Sequence, residues 1–140
     1  MDYKEHPVVG TAVLIFKDSK VLLGKRKSSH GSGEYALPGG KLDYKETLKE
    51  CIRRETLEET GLLIKNIQFN CIADELEYLP RHFLHVGFIA DWESGEPKVM
   101  EPDKCESWDW YSIDKLPEPL FAMTRVGIEA HTTGKKFFGK

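Results

Sequence analysis

The sequence lacks long apolar runs and an excess of positive charge. Its most apolar stretch, VVGTAVLIF at 8–16, is far shorter than the roughly 20 residues that a membrane-spanning helix needs. The net charge of −3 provides no basic surface for the phosphate backbone of a duplex. We therefore expect no membrane partner and no nucleic-acid partner, and a small molecule as the ligand.

Cysteine is also scarce. Cys51, Cys71 and Cys105 are widely spaced and odd in number, and no two of them form a CxxC pair. Such usage argues against a disulfide framework or a zinc site and is typical of a reducing compartment. We therefore expect a cytoplasmic protein.

Apolar patterns divide the chain into strands and two helices, and its 140 residues suit a single domain from 1 to 140. β-Branched and aromatic runs predict strands at 8–16, 21–27, 62–76, 81–92 and 106–113. Helices are predicted at 47–60 and 120–131, a Gly/Ser loop at 28–35 and a tight turn at 38–40. Strands with two separated helices indicate an α/β fold with a mixed central sheet and a helix packed on each side.

Local signals mark both ends of the first helix. Thr47 with Glu50 three residues later forms a capping-box pattern, and Asp43 with Glu46 is a rival start. Gly61 suits the left-handed position that ends a helix.

The acidic run RETLEETG at 54–61 conflicts with the apolar face of this helix. At about 100° per residue, Leu48, Cys51 and Ile52 define an apolar stripe that should face the sheet. Glu55 and Glu59 fall within about 20° of Leu48, on the same side. Carboxylates at a helix C-terminus also oppose the helix dipole.

Two explanations remain for this acidic run. A solvated surface with i,i+4 pairs to Arg54 is the ordinary one, but it leaves the inward glutamates unexplained. Alternatively, Glu55, Glu58 and Glu59 are spaced at i, i+3 and i+4, so their carboxylates can converge on one ion. Oxygen ligands suit Mg²⁺ or Mn²⁺, and Mg²⁺ typically bridges to substrate phosphates.

The segment GKLDYKETLKECIRRETLEETGL at 40–62 resembles the Nudix box. The match runs from Gly40 through Glu46 to Arg54 and the three glutamates, and it ends at Gly61 and Leu62. Thr56 departs from the pattern, because an aliphatic residue is usual there. So many fixed positions make the motif specific.

The likeness extends to LLGKRKSSHGSGEYALPGG and EPDKCESWDWYSIDKLPEPLF, and covers roughly 8–121. These segments resemble the MutT-like branch that contains the plant cytosolic nucleotide diphosphatase and the human thiopurine-nucleotide diphosphatase. The resemblance implies a Nudix α/β/α sandwich, metal-dependent hydrolysis of a nucleoside diphosphate linked to another group, and a homodimer. Ala122 stands where relatives commonly have tryptophan.

The resemblance also implies roles for individual residues. The implied metal ligands are the Gly40 carbonyl, Glu55, Glu58, Glu59 and an acid chosen from Glu101, Asp103 and Glu106, of which we favour Asp103. The implied catalytic residues are Glu55 as the base, Glu58, and Arg54, which holds a box glutamate in position. The implied substrate contacts are Lys25, Arg26, Tyr35, Gly39 and Phe121.

Some of these residues have a second interpretation. Arg26 and its lysine neighbours suit phosphate contact, but charges also protect an edge strand.

His82 and His85 are an odd number of residues apart on a strand, so they face opposite sides and cannot chelate together.

From these features we expect a Mg²⁺- or Mn²⁺-dependent pyrophosphohydrolase. It would cleave nucleoside or deoxynucleoside triphosphates to monophosphate and pyrophosphate and would serve nucleotide-pool sanitation. The alternatives are hydrolysis of another diphosphate, such as a nucleotide sugar or an isoprenoid diphosphate, and a non-catalytic nucleotide-binding module.

Overall fold

The computed structural model describes residues 6–28 and 30–139. These residues form strands β1 (Val8–Lys17), β2 (Lys20–Arg26), β3 (Tyr35–Ala36), β4 (Gly39–Lys41), β5 (Leu63–Glu75), β6 (Phe83–Ser94), β7 (Cys105–Ser112) and β8 (Phe137–Phe138), helices α1 (Leu48–Thr60) and α2 (Ala122–Thr133), and a 3₁₀-helix (Ile113–Lys115). Among them, no helix is long and apolar enough to cross a membrane.

The strands form one mixed sheet. Its order is β3-β2-β1-β6-β5-β8, with β4 also paired to β1 and β7 to β2. Strand β6 runs parallel to β1 on one side and antiparallel to β5 on the other. The central strand β1 is rich in buried apolar residues on both faces, as a strand covered on both sides must be.

The two helices cover opposite faces of this sheet. Ile72 of β5 packs on the larger core cluster, which contains Ile52 of α1. The next residue, Ala73, belongs to a second cluster with Ala122 and Met123 of α2. Because successive strand residues point to opposite faces, α1 and α2 lie on opposite sides of the sheet. The predicted α/β/α sandwich is confirmed.

Helix α1 begins and ends as its sequence signals predict. Thr47 is the N-cap, its hydroxyl accepts from the Glu50 amide at 3.2 Å, and the Glu50 carboxylate accepts from the Thr47 amide at 2.9 Å. The rival start at Asp43 lies in a turn before the helix. Gly61 ends the helix at φ 78°, where a residue with a Cβ would be strained.

The tight turn predicted at 38–40 is replaced by strand β4. Gly39 pairs with Ala12 and Gly40 with Thr11 of β1. A Cβ on Gly39 would lie 2.0 Å from the Thr11 carbonyl oxygen, so only glycine lets the backbone come this close. The prediction of a turn was wrong because the glycines serve close approach and not chain reversal.

One other prediction is wrong, and one strand was not predicted. Lys25 of β2 pairs with Tyr35 of β3 on one side and with Ser107 of β7 on the other, so the edge-strand interpretation of its charges is wrong. The C-terminal segment after α2 adds strand β8 beside β5, with Phe137 opposite Ile72.

Candidate active site

A cavity of about 510 Å³ lies where α1, β4 and β1 meet the end of β2. Residues Gly39, Gly40, Glu55 and Glu59 line it, and Arg26 reaches it from β2. The fold therefore brings predicted metal ligands and a predicted phosphate contact to one space.

Strand β4 and helix α1 meet through the glycines and the glutamates. The Gly39 amide donates to the Glu59 carboxylate at 2.9 Å. A Cβ on Gly40 would lie 2.3 to 2.6 Å from the Glu55 carboxyl atoms, so that carboxylate rests directly on the Gly40 backbone. The hydroxyl of Thr11 donates to the Gly40 carbonyl at 2.9 Å and fixes its direction.

The orientation of the helix agrees with the predicted stripe. Cys51 and Ile52 are fully buried, and the Glu55 side chain is only 17% exposed. Glu59 lies on the same face, as its bond to the β4 backbone shows. Glu58, at the edge of the stripe, is 51% exposed.

Arg54 ties the acidic residues together. Its Nε donates to Glu46 at 2.6 Å, and its Nη1 donates to Glu55 at 2.7 Å and to Glu58 at 3.2 Å. Its Nη2 also donates to the Lys41 carbonyl at 3.2 Å. A planar guanidinium presents these donors in a fixed fork, so Arg54 sets the position of Glu55.

Arg54 and the burial of the site shift the pKa values of the acids in opposite directions. Hydrogen bonds from Arg54 lower the pKa of Glu46 to about 2. Burial raises the pKa of Glu55, with the charges of Glu58 and Glu101 adding to it and Arg54 opposing it. Burial also raises the pKa of Glu59 to about 8, and the Gly39 amide offsets this only in part. Desolvated acids close together create a strong demand for a cation.

The donor set of this cluster is suited to a hard divalent cation. The Gly40 carbonyl has a second lone pair beside the one that accepts from Thr11, and the Glu55 and Glu59 carboxylates lie against the same strand. All are oxygen donors, the kind that Mg²⁺ and Mn²⁺ prefer. Glu58 points to Arg54, and in the described part of the chain no three Asp, Glu, His or Cys side chains are already gathered to hold an ion.

Comparison with known proteins establishes the family. The NUDIX domain pattern matches residues 6–129. This chain belongs to the Nudix family. Membership identifies it as a Nudix hydrolase, an enzyme class that acts on phosphoanhydride bonds. The nearer resemblance to the nucleotide diphosphatase branch stays a prediction.

Several relatives of this Nudix hydrolase are close in sequence or fold. It is 36% identical over 122 residues to an ADP-ribose pyrophosphatase of Methanocaldococcus jannaschii, covering 86% of this chain and 71% of that protein. It is 38% identical over 113 residues to an oxidized purine nucleoside triphosphate hydrolase of Danio rerio, covering 76% and 67%. The crystal structure of a MutT Nudix hydrolase from Burkholderia pseudomallei superposes with a TM-score of 0.85 at 36% identity, covering 90% and 98%.

The chain also matches longer proteins. It spans 42% of the NAD-capped RNA hydrolase NudC of Photorhabdus laumondii, to which it is 32% identical over 114 residues.

Not every residue predicted for the Nudix site lines the cavity. Those that lie elsewhere are Lys25, which pairs with Glu106 at 3.2 Å, Tyr35, which packs on Tyr111, the exposed Asp103, Glu58, and Arg54, which reaches the site only through its bond to Glu55. Of the three candidate acids, Glu101, Asp103 and Glu106, Glu101 is the one that lines the cavity.

Arg26 and Phe121 form one wall of the cavity. The Arg26 guanidinium lies 4.3 Å from the centroid of the Phe121 ring, and Tyr78 stacks on that ring at 4.7 Å. Arg26 also donates to the Ser28 hydroxyl at 2.7 Å. This arrangement directs a fixed positive charge into the cavity and occupies the Phe121 ring with contacts from within the chain.

The cavity residues that sequence reasoning missed include Thr11, Glu75 and His85. Thr11 lies in an apolar strand and gives no sign of its bond to Gly40. Glu75 is an acid at the end of strand β5 that becomes buried, and this signal is visible only once the burial of its side chain is known.

Proposed function

We propose that this Nudix hydrolase is a metal-dependent pyrophosphohydrolase that converts nucleoside and deoxynucleoside triphosphates to monophosphates and pyrophosphate. The observation that carries the proposal is the cavity in which Glu55 and Glu59 meet the Gly40 backbone while Arg26 lines the same space. The likeness to a relative named as an oxidized purine nucleoside triphosphate hydrolase supports this substrate class and a role in nucleotide-pool sanitation.

A Mg²⁺ or Mn²⁺ ion held by the Gly40 carbonyl, Glu55 and Glu59 would polarise phosphoryl oxygens and offset their charge. Glu58 joins this set only if its carboxylate leaves Arg54. The fifth proposed ligand, Asp103, lies outside the cavity, and Glu101 is better placed.

The side chains then divide the reaction between them. The Glu55 carboxylate accepts a proton from the attacking water, and its raised pKa brings it closer to neutral pH, where a general base works best. Arg54 holds that carboxylate in position through the bond of 2.7 Å. Arg26 donates to phosphate oxygens as charge develops on them. Attack of the water at the α- or β-phosphorus breaks the phosphoanhydride bond between these two phosphates and releases the monophosphate and pyrophosphate.

The test is pyrophosphate release from a panel of ribonucleoside and deoxynucleoside triphosphates with and without Mg²⁺. We expect Mg²⁺-dependent release, and a loss of at least about 100-fold in kcat for Glu55→Gln, as typical of a removed general base. Glu93→Gln, an equal loss of charge at an exposed position of β6, is the matched control and should retain activity. If no triphosphate is cleaved, the proposal is wrong, and binding without turnover would favour a nucleotide-binding module.

A second candidate is hydrolysis of a nucleoside diphosphate linked to another group. It is favoured by the 36% identity to a protein named ADP-ribose pyrophosphatase. The same assay, extended to ADP-ribose and nucleotide sugars, separates the two, because these substrates yield two monophosphates and no pyrophosphate.

The proposal includes a cytoplasmic homodimer, as the family resemblance and the scarcity of cysteine suggest. Light scattering in solution measures the assembly directly, and a monomer would remove that part of the proposal.

A further inference from the structure

Two buried polar side chains, Glu75 and His85, line the cavity without serving the proposed hydrolysis. Glu75 is 5% exposed and His85 is 3% exposed. Within residues 6–28 and 30–139, neither Glu75 Oε1 nor His85 Nε2 has a hydrogen-bond partner. Such an atom costs stability when it is buried, so a ligand that supplies its hydrogen bond accounts for its presence.

The sheet places these two side chains next to each other. His85 is opposite Ala73, and Glu75 is opposite Phe83, on the antiparallel strands β5 and β6. The two residues therefore lie on the same face as diagonal neighbours, which are about 7–8 Å apart between Cα atoms. Both side chains can contact one ligand of moderate size.

The adjacent wall is shaped for a flat group. On β1, Gly10 is the neighbour of His85, and the space beside it is filled by the Phe83 ring, which lines the cavity. A flat aromatic ring next to two polar atoms is a surface on which a planar ring stacks with its edge toward the polar pair.

We propose that Glu75 and His85 read the hydrogen-bonding edge of a nucleobase, while the Glu55–Glu59 end of the cavity holds the phosphates. The Glu75 carboxylate accepts from an N–H of the base, and His85 Nε2 bonds to the adjacent ring or exocyclic atom. Every nucleobase carries a donor beside an acceptor on such an edge. This assignment rests on the proposed function only for the position of the phosphates.

The protonation of the pair supports the assignment. Burial lowers the pKa of His85 to about 4, so the imidazole is neutral at physiological pH and pairs with a neutral base without a charge to offset. Burial raises the pKa of Glu75 to about 7, with Arg26 opposing the shift and Glu77 adding to it. An N–H donor from a base stabilises the ionised Glu75 that burial disfavours.

The test compares ligands with and without a base in metal-free calorimetry. The probes are AMP, GMP, CMP and UMP, with ribose 5-phosphate as the base-free reference. The variants are Glu75→Leu and His85→Leu, which replace each polar group with an apolar one of similar size, and the milder Glu75→Gln and His85→Gln. Glu77→Gln and His82→Gln are the matched controls, since neither residue lines the cavity.

We expect wild type to bind at least one nucleotide about tenfold or more above ribose 5-phosphate, as one added hydrogen bond to a charged group allows. Glu75→Leu and His85→Leu should reduce this ratio toward one and leave ribose 5-phosphate binding within about twofold. The Gln variants should change the order of preference among bases. The controls should keep the wild-type ratio.

Two results would overturn the inference: a wild-type ratio near one, or a ratio that both leucine variants and both glutamine variants leave intact. If a leucine variant shows no cooperative transition in thermal unfolding, the binding ratio of the glutamine variant at the same position is used instead. A normal base preference together with no turnover of any nucleotide would refute the proposed function and leave this inference standing.

Discussion

His85 should make the folded protein lose stability in acid, and replacing it should remove that loss. Burial lowers the pKa of this histidine from 6.5 to about 4. Below pH 6.5 the unfolded chain therefore takes up a proton at this position while the folded chain does not. Because the unfolded state binds more protons in this interval, the free energy of unfolding falls as the pH falls from 6.5 to 4.

The size of the effect follows from the same two values. At about 1.36 kcal/mol per pH unit, the interval between them amounts to about 3 kcal/mol, a large part of the 5–15 kcal/mol that stabilises a typical domain. Charged groups that line the cavity with His85 include Arg26, Glu55, Glu59 and Glu75. They also titrate or respond to acid, so the raw pH profile of the wild type mixes several effects.

A comparison of variants isolates the histidine. Urea unfolding of wild type and His85→Leu at intervals from pH 7.5 to 4 gives the difference in unfolding free energy at each pH. As the pH falls from 6.5 to 4, we expect the unfolding free energy of wild type to fall by about 3 kcal/mol more than that of His85→Leu. His82→Gln is the matched control, because it removes an imidazole just before β6. A wild-type minus His85→Leu difference that stays flat over this range would refute the reasoning.

Other substitutions test different parts of the cavity. Glu75 has its pKa raised from 4.5 to about 7, so wild type should lose stability as the pH rises through this range. Glu75→Gln should therefore gain about 3 kcal/mol relative to wild type between pH 4.5 and 7 in the same urea assay, and parallel profiles would contradict this. In Gly39→Ala the new Cβ would meet the Thr11 backbone at 2.0 Å, and a loss of about 3 kcal/mol in unfolding free energy is expected. In Gly40→Ala the new Cβ would meet the Glu55 carboxylate instead. Turnover should therefore fall by at least about 100-fold, while the loss of unfolding free energy should be smaller than in Gly39→Ala. Equal losses of unfolding free energy in the two glycine variants would contradict these contacts.

Local chemistry made helix α1 and its glutamates predictable from the sequence. The cap at Thr47 depends on Glu50 three residues away, and the ending at Gly61 depends on one backbone conformation. The inward direction of Glu55 and Glu59 follows from the 3.6-residue period alone. These signals extend over a few residues, so no knowledge of the sheet was needed.

Features that depend on distant partners were not predictable. Strands β4 and β8 are three and two residues long, and each exists because a longer strand lies beside it. That Glu101 lines the cavity and Asp103 does not depends on how the loop before β7 folds toward α1. Glu75 and His85 are diagonal neighbours on one face because of the register between β5 and β6. The bulges in β5 shift this register, and the sequence does not show where they occur.

The same interactions explain how α1 folds with so much negative charge. No basic residue in its last turn offsets the helix dipole. Arg54 supplies part of the missing charge to Glu55 and Glu58. Glu59 accepts from the Gly39 amide and the charge of Lys104 also favours its ionised form, yet burial still raises its pKa to about 8. None of these partners neutralises the whole cluster. The divalent cation that we propose for this site would replace the proton on Glu59 and offset the charge that these partners leave.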